Sequence, residues 1–235
     1  CSRGGTTRSE CAVLCAESVE KLILDNDPES VAAVFAEPVA SRGCFPPGDE
    51  YWPLLREICD RHGVLLVADE VITGFGQTGR MFAVEHWNVV PDIMTVAKGV
   101  ISTYLPFGAT VVTDEVADVF SGEDNYLHHI FTAGGHPVCS AAALENIKII
   151  ENENLVENAK NVGAYLKTQL EQLKLGHHIV GDVRGLGLMC GMELVRDCQT
   201  RQPFAKSDNL DLKIREKLRK RGLLLGATRG VIVFG

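Results

Sequence analysis

Residues 65–99, LLVADEVITGFGQTGRMFAVEHWNVVPDIMTVAKG, constrain the fold of this chain more than any other stretch. They hold two short apolar runs, LLVAD and DIMTVAK, both carrying β-branched residues. Runs of that length and composition read as buried strands of a parallel sheet. Each ends on an ionisable residue, Asp69 and Lys98. In open α/β sheets, ligands gather at the carboxyl ends of the strands. An amine and a carboxylate delivered side by side suit one chemistry well. The lysine can form a Schiff base with an aldehyde cofactor while the aspartate keeps a ring nitrogen protonated.

The flanking sequence supports an α/β fold. VAAVFAEP (31–38) reads as an apolar strand, and Trp52, Leu55, Ile58 and Cys59 recur at helical spacing before Gly63. Residues 81–86 read as a short helical turn, 107–112 as another strand and 114–120 as a helix. Two long helices follow, at 136–151 and 154–173. Strands alternating with helices in this way are the doubly wound α/β signature. After Leu175 the pattern changes. Residues 179–195 are β-like and glycine-rich, 208–221 form an amphipathic helix, and 223–225 and 231–234 are short strands. This predicts a smaller α+β domain. At the other end, residues 1–17 show little periodicity and read as a loop, with a short helix from Ser18 to Leu24.

Composition narrows the function. The net charge is −8 and there is no dense Lys/Arg block, so nucleic acid is not an expected partner. No apolar run approaches the roughly 18 residues needed to span a bilayer, and no signal peptide opens the chain. Eight scattered cysteines, several inside apolar stretches, suggest reduced thiols in a cytoplasmic or mitochondrial-matrix protein. Cys11 and Cys15 fit one face of a helix better than a metal site. The pairs His128-His129 and His177-His178 lack a carboxylate at ligand spacing, so no metal is expected. Gly74-Phe-Gly76-Gln-Thr-Gly79 is a literal G-x-G-x-x-G, but no long amphipathic helix opens at Gly79. Asp69-Glu70 would also set negative charge beside a pyrophosphate, so a dinucleotide site is not expected.

The stretch resembles the core of class III aminotransferases, pyridoxal-phosphate enzymes of fold type I. The resemblance rests on LLVADEVITGFGQTGR and PDIMTVAKG. It continues through FAEPV and PPGDEYWPLLREICDRHGV before them, and FTAGGHPVCSAAALENI and VRGLGLMCGMEL after them. It implies a large cofactor-binding domain over 1–152, with a mostly parallel sheet flanked by helices. A linker helix and part of a small α+β domain would then fill 153–235.

Lys98 would be the Schiff-base lysine, later moving the proton between substrate carbon and cofactor. Asp69 would bond the pyridine nitrogen, and Val71 would pack on one face of the ring. Ile72 stands where some relatives carry a glutamine that bonds the ring hydroxyl, a bond Ile cannot make. Thr132 matches a threonine that donates to the cofactor phosphate of the neighbouring subunit, which implies a homodimer with a shared active site. The local sequence departs from the usual TYSGHP. Arg42 stands where relatives acting on ornithine or 4-aminobutyrate carry a glutamate, and suggests a pocket for a carboxylate or sulfonate. A solvated loop arginine is the plainer reading of that residue. Arg229 is a second candidate for binding carboxylate, and Glu37 ties backbone near the site. Glu70, facing away from Asp69 on its strand, reads as structural.

The expected reaction is transfer of an amino group from an ω-amino acid or amine to a 2-oxo acid such as pyruvate. An aminomutase or decarboxylase of the same fold is the alternative. No Gly-Ser phosphate loop is found, and the chain neither begins with Met nor continues past VIVFG. It therefore reads as a piece of a longer protein, and a non-catalytic fragment is a second alternative.

Overall fold

The computed structural model describes residues 7–122 and 124–235. The chain divides into two compact units. The first takes the chain through Pro38, Pro47–Phe75 and Phe82–Glu153. The second takes Val39–Pro46, Gly76–Met81 and Asn154–Gly235.

The first unit opens with helix α1 (Arg8–Asp25), where the sequence predicts mostly loop. The overlooked signal is local. Thr7 accepts the Glu10 amide at 3.2 Å, and the Glu10 carboxylate accepts the Thr7 amide at 2.7 Å. This capping box satisfies two amides that would otherwise be orphaned. Ala16 and Ile23 of α1 then pack with Ile58 and Val64.

Strand β1 (Ala33–Ala36), helix α2 (Tyr51–His62) and strand β2 (Leu65–Asp69) follow. Gly63 ends α2 in the left-handed conformation at φ 65°. Strand β3 (Ile93–Ala97) lies parallel to β2, as β2 does to β1. Strand β4 (Gly108–Val112) pairs antiparallel with β3. Residues 98–107 link β3 to β4 without the helical crossover that a parallel return requires. The sheet order is β1-β2-β3-β4, so β2 and β3 are central.

Asp92 fastens the sheet. Its carboxylate accepts the Leu66 amide at 2.6 Å and Arg56 Nη1 at 2.8 Å. Helices α3 (Asp114–Asp118) and α4 (Pro137–Asn152) complete the unit.

In the second unit, helix α5 (Leu155–Gly176) packs on an antiparallel sheet of order β5-β6-β8-β7. The strands are β5 (Val180–Leu186), β6 (Met189–Leu194), β7 (Gly226–Thr228) and β8 (Val231–Phe234). Helix α6 (Leu210–Arg219) lies beside β7. Leu170, Val180, Val183, Cys190, Leu194 and Ile232 form the core. Gly163 on α5 backs directly onto the Gly187 backbone, leaving no room for a Cβ. Residues 76–81 run through the same unit. A Cβ on Gly76 or Gly79 would stand 3.2 and 3.0 Å from Val156 and Lys160 of α5. On the opposite side, Leu188 donates its amide to the Gln77 carbonyl at 2.9 Å.

Cys15, Cys44, Cys59, Cys139, Cys190 and Cys198 are free thiols. Cys11 is disulfide-bonded, so the expectation of reduced thiols does not hold at that residue.

Candidate active site

The register of the parallel strands fixes the site. Asp69, the last residue of β2, pairs with Thr95 of β3. Lys98 comes three residues beyond Thr95, about 10 Å further along at roughly 3.3 Å per residue. Both functional groups therefore stand at the same edge of the sheet, past the carboxyl ends of adjacent strands.

The Asp69 carboxylate is held by one oxygen. Oδ1 accepts the Val71 amide at 3.1 Å and Thr95 Oγ1 at 3.2 Å. Among the described residues, nothing donates to Oδ2. One oxygen is thus used to orient the group, and the other is available to an N–H donor. The bond to Val71 is an Asx turn that starts the loop after β2. It places Val71 and Ile72 directly beyond the carboxylate, both half-buried.

Glu70 faces the opposite way. It is fully buried, accepts the Val84 amide at 2.9 Å and also bonds the Thr73 hydroxyl. Burial pushes its carboxyl above the ordinary value, opposed by the bonds from Thr73, Val84 and Ala83. Two neighbouring acids at the end of β2 thus serve different ends, Asp69 at the candidate site and Glu70 in the core.

Lys98 leaves the strand abruptly. It has φ 44°, a left-handed conformation unusual for a residue with a side chain, and opens a 3-10 turn, Lys98–Ile101. Its side chain is exposed. Gly99, next in line, sits against the loop after β2. A Cβ there would lie 3.0 Å from the Gly74 carbonyl and 3.1 Å from Phe75 Cβ. Any larger residue would push the lysine turn off that loop. Behind the turn, Val100 and Ile101 pack with Ala143 of α4. Asn146, on the same helix, donates to the Gly99 and Val100 carbonyls at 2.9 and 3.0 Å. It also accepts Ser102 Oγ at 2.7 Å.

Thr95 and Asn146 were not singled out from sequence. Each carried a faint signal, a polar residue on an otherwise apolar strand and on an apolar helix face.

The remaining candidates stand elsewhere. Thr132 is exposed in the turn before α4, and no hydrogen bond joins it to Asp69 or Lys98. Arg42 and Arg229 belong to the second unit. Arg42 is exposed on a turn closed by paired amide bonds between Ala40 and Phe45, 3.0 and 3.1 Å long. That turn rests on buried Arg184, whose Nε donates to the Gly43 carbonyl at 2.7 Å and whose guanidinium lies 3.5 Å over the Phe45 ring. The Arg229 amide donates to Asp211 at 2.8 Å, fixing the turn before β8 and leaving the side chain exposed.

No α-helix opens at Gly79. The next element is the 3-10 turn Ala83–Trp87, where a dinucleotide fingerprint would open a long helix. The four paired histidines are exposed, and no cluster suited to a metal ion occurs among the described residues. No helix among them is long and apolar enough to cross a membrane.

Comparison with known proteins identifies the family and fold. Residues 3–234 match the family model for aminotransferase class III. The chain is 38% identical over 232 residues to a putrescine–pyruvate aminotransferase of Pseudomonas aeruginosa, covering 98% of this chain and 50% of that one. It is 43% identical over 204 residues to a taurine–pyruvate aminotransferase of Bilophila wadsworthia, covering 85% of this chain and 45% of the relative. An (S)-enantioselective omega-transaminase from Thermomicrobium roseum superposes with a TM-score of 0.93 at 40% identity, covering 98% of this chain and 52% of that one. An amine transaminase from an uncultivated Pseudomonas species, solved in its PLP-bound internal aldimine form, gives a TM-score of 0.91 at 40% identity, with coverages of 97% and 52%. The chain thus spans about half the length of these relatives. It shares their α/β architecture.

Proposed function

Because the chain belongs to the class III aminotransferases, enzymes that use pyridoxal 5′-phosphate, we propose that it carries the Lys98–Asp69 centre of a transaminase acting on an amine or ω-amino acid, with a pyruvate-like 2-oxo acid as acceptor. The observation that carries this reading is the pairing at the sheet edge. An exposed amine and a carboxylate with one open oxygen stand past adjacent strand ends, which suits an aldehyde-bearing pyridine ring between them. When bound, the cofactor supplies an electron sink for charge developing on the donor carbon.

Lys98 Nζ would be the nucleophile toward the aldehyde and, as a free amine, would move a proton to and from the donor carbon. Asp69, oriented through Thr95 and Val71, would accept the ring N–H at its open oxygen Oδ2 and hold that proton in place. Val71, with Ile72 beside it, would cover one face of the ring. Thr132 would donate its hydroxyl to the phosphate bound by a second copy of the chain. A homodimer fits the apolar residues next to Thr132, where Ile130 is 96% and Phe131 69% exposed. Arg42 offers a guanidinium to an anionic group on the donor. The acceptor assignment draws on the putrescine–pyruvate and taurine–pyruvate relatives. Apart from the disulfide at Cys11, the free thiols suit a cytoplasmic protein, or a mitochondrial-matrix one as in the rice relative named as a probable mitochondrial γ-aminobutyrate transaminase.

The test is a half-reaction. The protein from the complete reading frame, loaded with pyridoxal 5′-phosphate, is mixed with candidate amines, and pyruvate is then added. Spectral change on amine addition, reversed by pyruvate, is expected, and Lys98→Ala should remove it. Amine turnover with no dependence on a 2-oxo acid would refute transamination and favour an aminomutase or decarboxylase.

A further inference from the structure

We propose that Asn146 is the positioning residue for Lys98, a role that rests on reading Lys98 as the cofactor-bearing lysine. The carbonyls at the end of the 3-10 turn that starts at Lys98 are poorly served by the turn itself, as at every helical end. Gly99 accepts only a long bond from the Ser102 amide at 3.4 Å. The Asn146 amide takes two of them at once, Gly99 and Val100, at 2.9 and 3.0 Å. Its oxygen takes the Ser102 hydroxyl, so one side chain spans the turn end to end. These contacts bridge 44 to 47 residues of sequence, from the middle of α4.

The turn needs such a clamp. Lys98 at φ 44°, Ser102 at φ 47° and Thr103 at φ 56° are three side-chain-bearing residues in left-handed conformations within six positions. Each is a strained conformation that persists only where its surroundings over-determine it. The turn's own backbone bonds run from Ser102 to Gly99 at 3.4 Å, Thr103 to Lys98 at 3.2 Å and Tyr104 to Ile101 at 3.1 Å, and none of them reaches the Val100 carbonyl. On the front, the turn meets the loop after β2 at Gly99, and on the back it meets Asn146. The amide group is chemically specific. A carboxylate in its place would face two carbonyl oxygens with no hydrogen to offer.

The experiment compares Asn146→Ala and Asn146→Asp with Lys148→Ala, an exposed control on the same helix, in the pyridoxal-phosphate-loaded protein from the complete reading frame. Four quantities are read. They are amide hydrogen exchange over 99–104, the pH midpoint of the bound cofactor's visible absorbance, kcat with donor KM, and the urea midpoint. Both Asn146 variants should speed exchange at Ser102 and Thr103 and shift the pH midpoint. They should lower kcat on the order of 100-fold, as for a displaced reacting group, with donor KM unchanged. Asn146→Asp should be the worse of the two, although it is nearly isosteric. Exchange and pH midpoint like those of the control would overturn the proposal, as would a kcat loss that only follows the urea midpoint. Borohydride trapping of the cofactor in the wild type distinguishes the two claims. If the label lies on a residue other than Lys98, the reading of Lys98 fails. Exchange over 99–104 then still decides whether Asn146 clamps the turn.

Discussion

Replacing Glu70 gives a sharp measure of the core beneath the site. Its carboxylate is fully buried and directly bonds the Val84 amide and the Thr73 hydroxyl, with the Ala83 amide also turned toward it. Glu70→Ala leaves at least the first two without an acceptor. A buried donor left unmade costs about 1–3 kcal/mol, so this variant should lose roughly 2–6 kcal/mol, before any cavity term. Glu70→Gln behaves differently. Its oxygen can keep the Val84 bond, and its NH2 can donate to Thr73, because a hydroxyl accepts as readily as it donates. Its cost at neutral pH should stay below about 1 kcal/mol.

The pH dependence follows from burial, which raises the Glu70 carboxyl above the ordinary carboxylate value. The native state then holds this proton more tightly than the unfolded chain does. The associated stability is fully present below the unfolded pKa and is lost as pH rises through the folded one. Urea midpoints of wild type and E70Q, taken between about pH 4 and pH 8, should therefore show the wild type losing ground to the variant as pH increases. If the wild type instead gains on E70Q over that range, the ionised carboxylate is the favoured form. Burial would then not be the dominant influence on this group.

Three further outcomes follow from contacts already described. Asp69→Asn keeps an oxygen for Val71 and Thr95 but gives up the charge toward the ring nitrogen. A charge-assisted bond worth about 1.5–3 kcal/mol predicts kcat lower by roughly 10- to 100-fold, with folding intact by circular dichroism. Asp92→Ala frees the Leu66 amide and leaves Arg56 with Asp60 alone, so the urea midpoint should fall by an amount on the order of 2–4 kcal/mol. Gly163→Ala forces a methyl into the Gly187 backbone and should cost about 1–3 kcal/mol or more in thermal unfolding. An unchanged melting temperature would mean that α5 and the β5–β6 turn can separate freely.

The sheet edge was legible because buried parallel strands announce themselves as apolar runs, and the residue that breaks each run marks the candidate site. Glu70 was legible for a related reason, since the residue just after β2 turns away from Asp69. The antiparallel return of β4 was not, because a strand's own residues do not state its partner's direction. The start of α1 was written in Thr7 and Glu10 but masked by a stretch of mixed composition. Asn146 had the least chance of being found. Its meaning depends on a turn far away in sequence, and a lone polar residue on an apolar helix face does not say what it serves. Arg184 is similar. It appears in the VRGLGL segment as one more charged residue, and only the folded chain shows it under the turn that carries Arg42.

The path of residues 76–81 bears on how this protein can be dissected. They lie between α5 and the β5–β6 connection, yet their neighbours in sequence on both sides belong to the first unit. A gene trimmed to begin at Asn154 would therefore encode an incomplete module, missing the peptide that fills the space beside Val156, Lys160 and Gly187. Swapping this module between relatives means transplanting three separate pieces of sequence, and a recombination library with a single crossover near 153 would mismatch two of them.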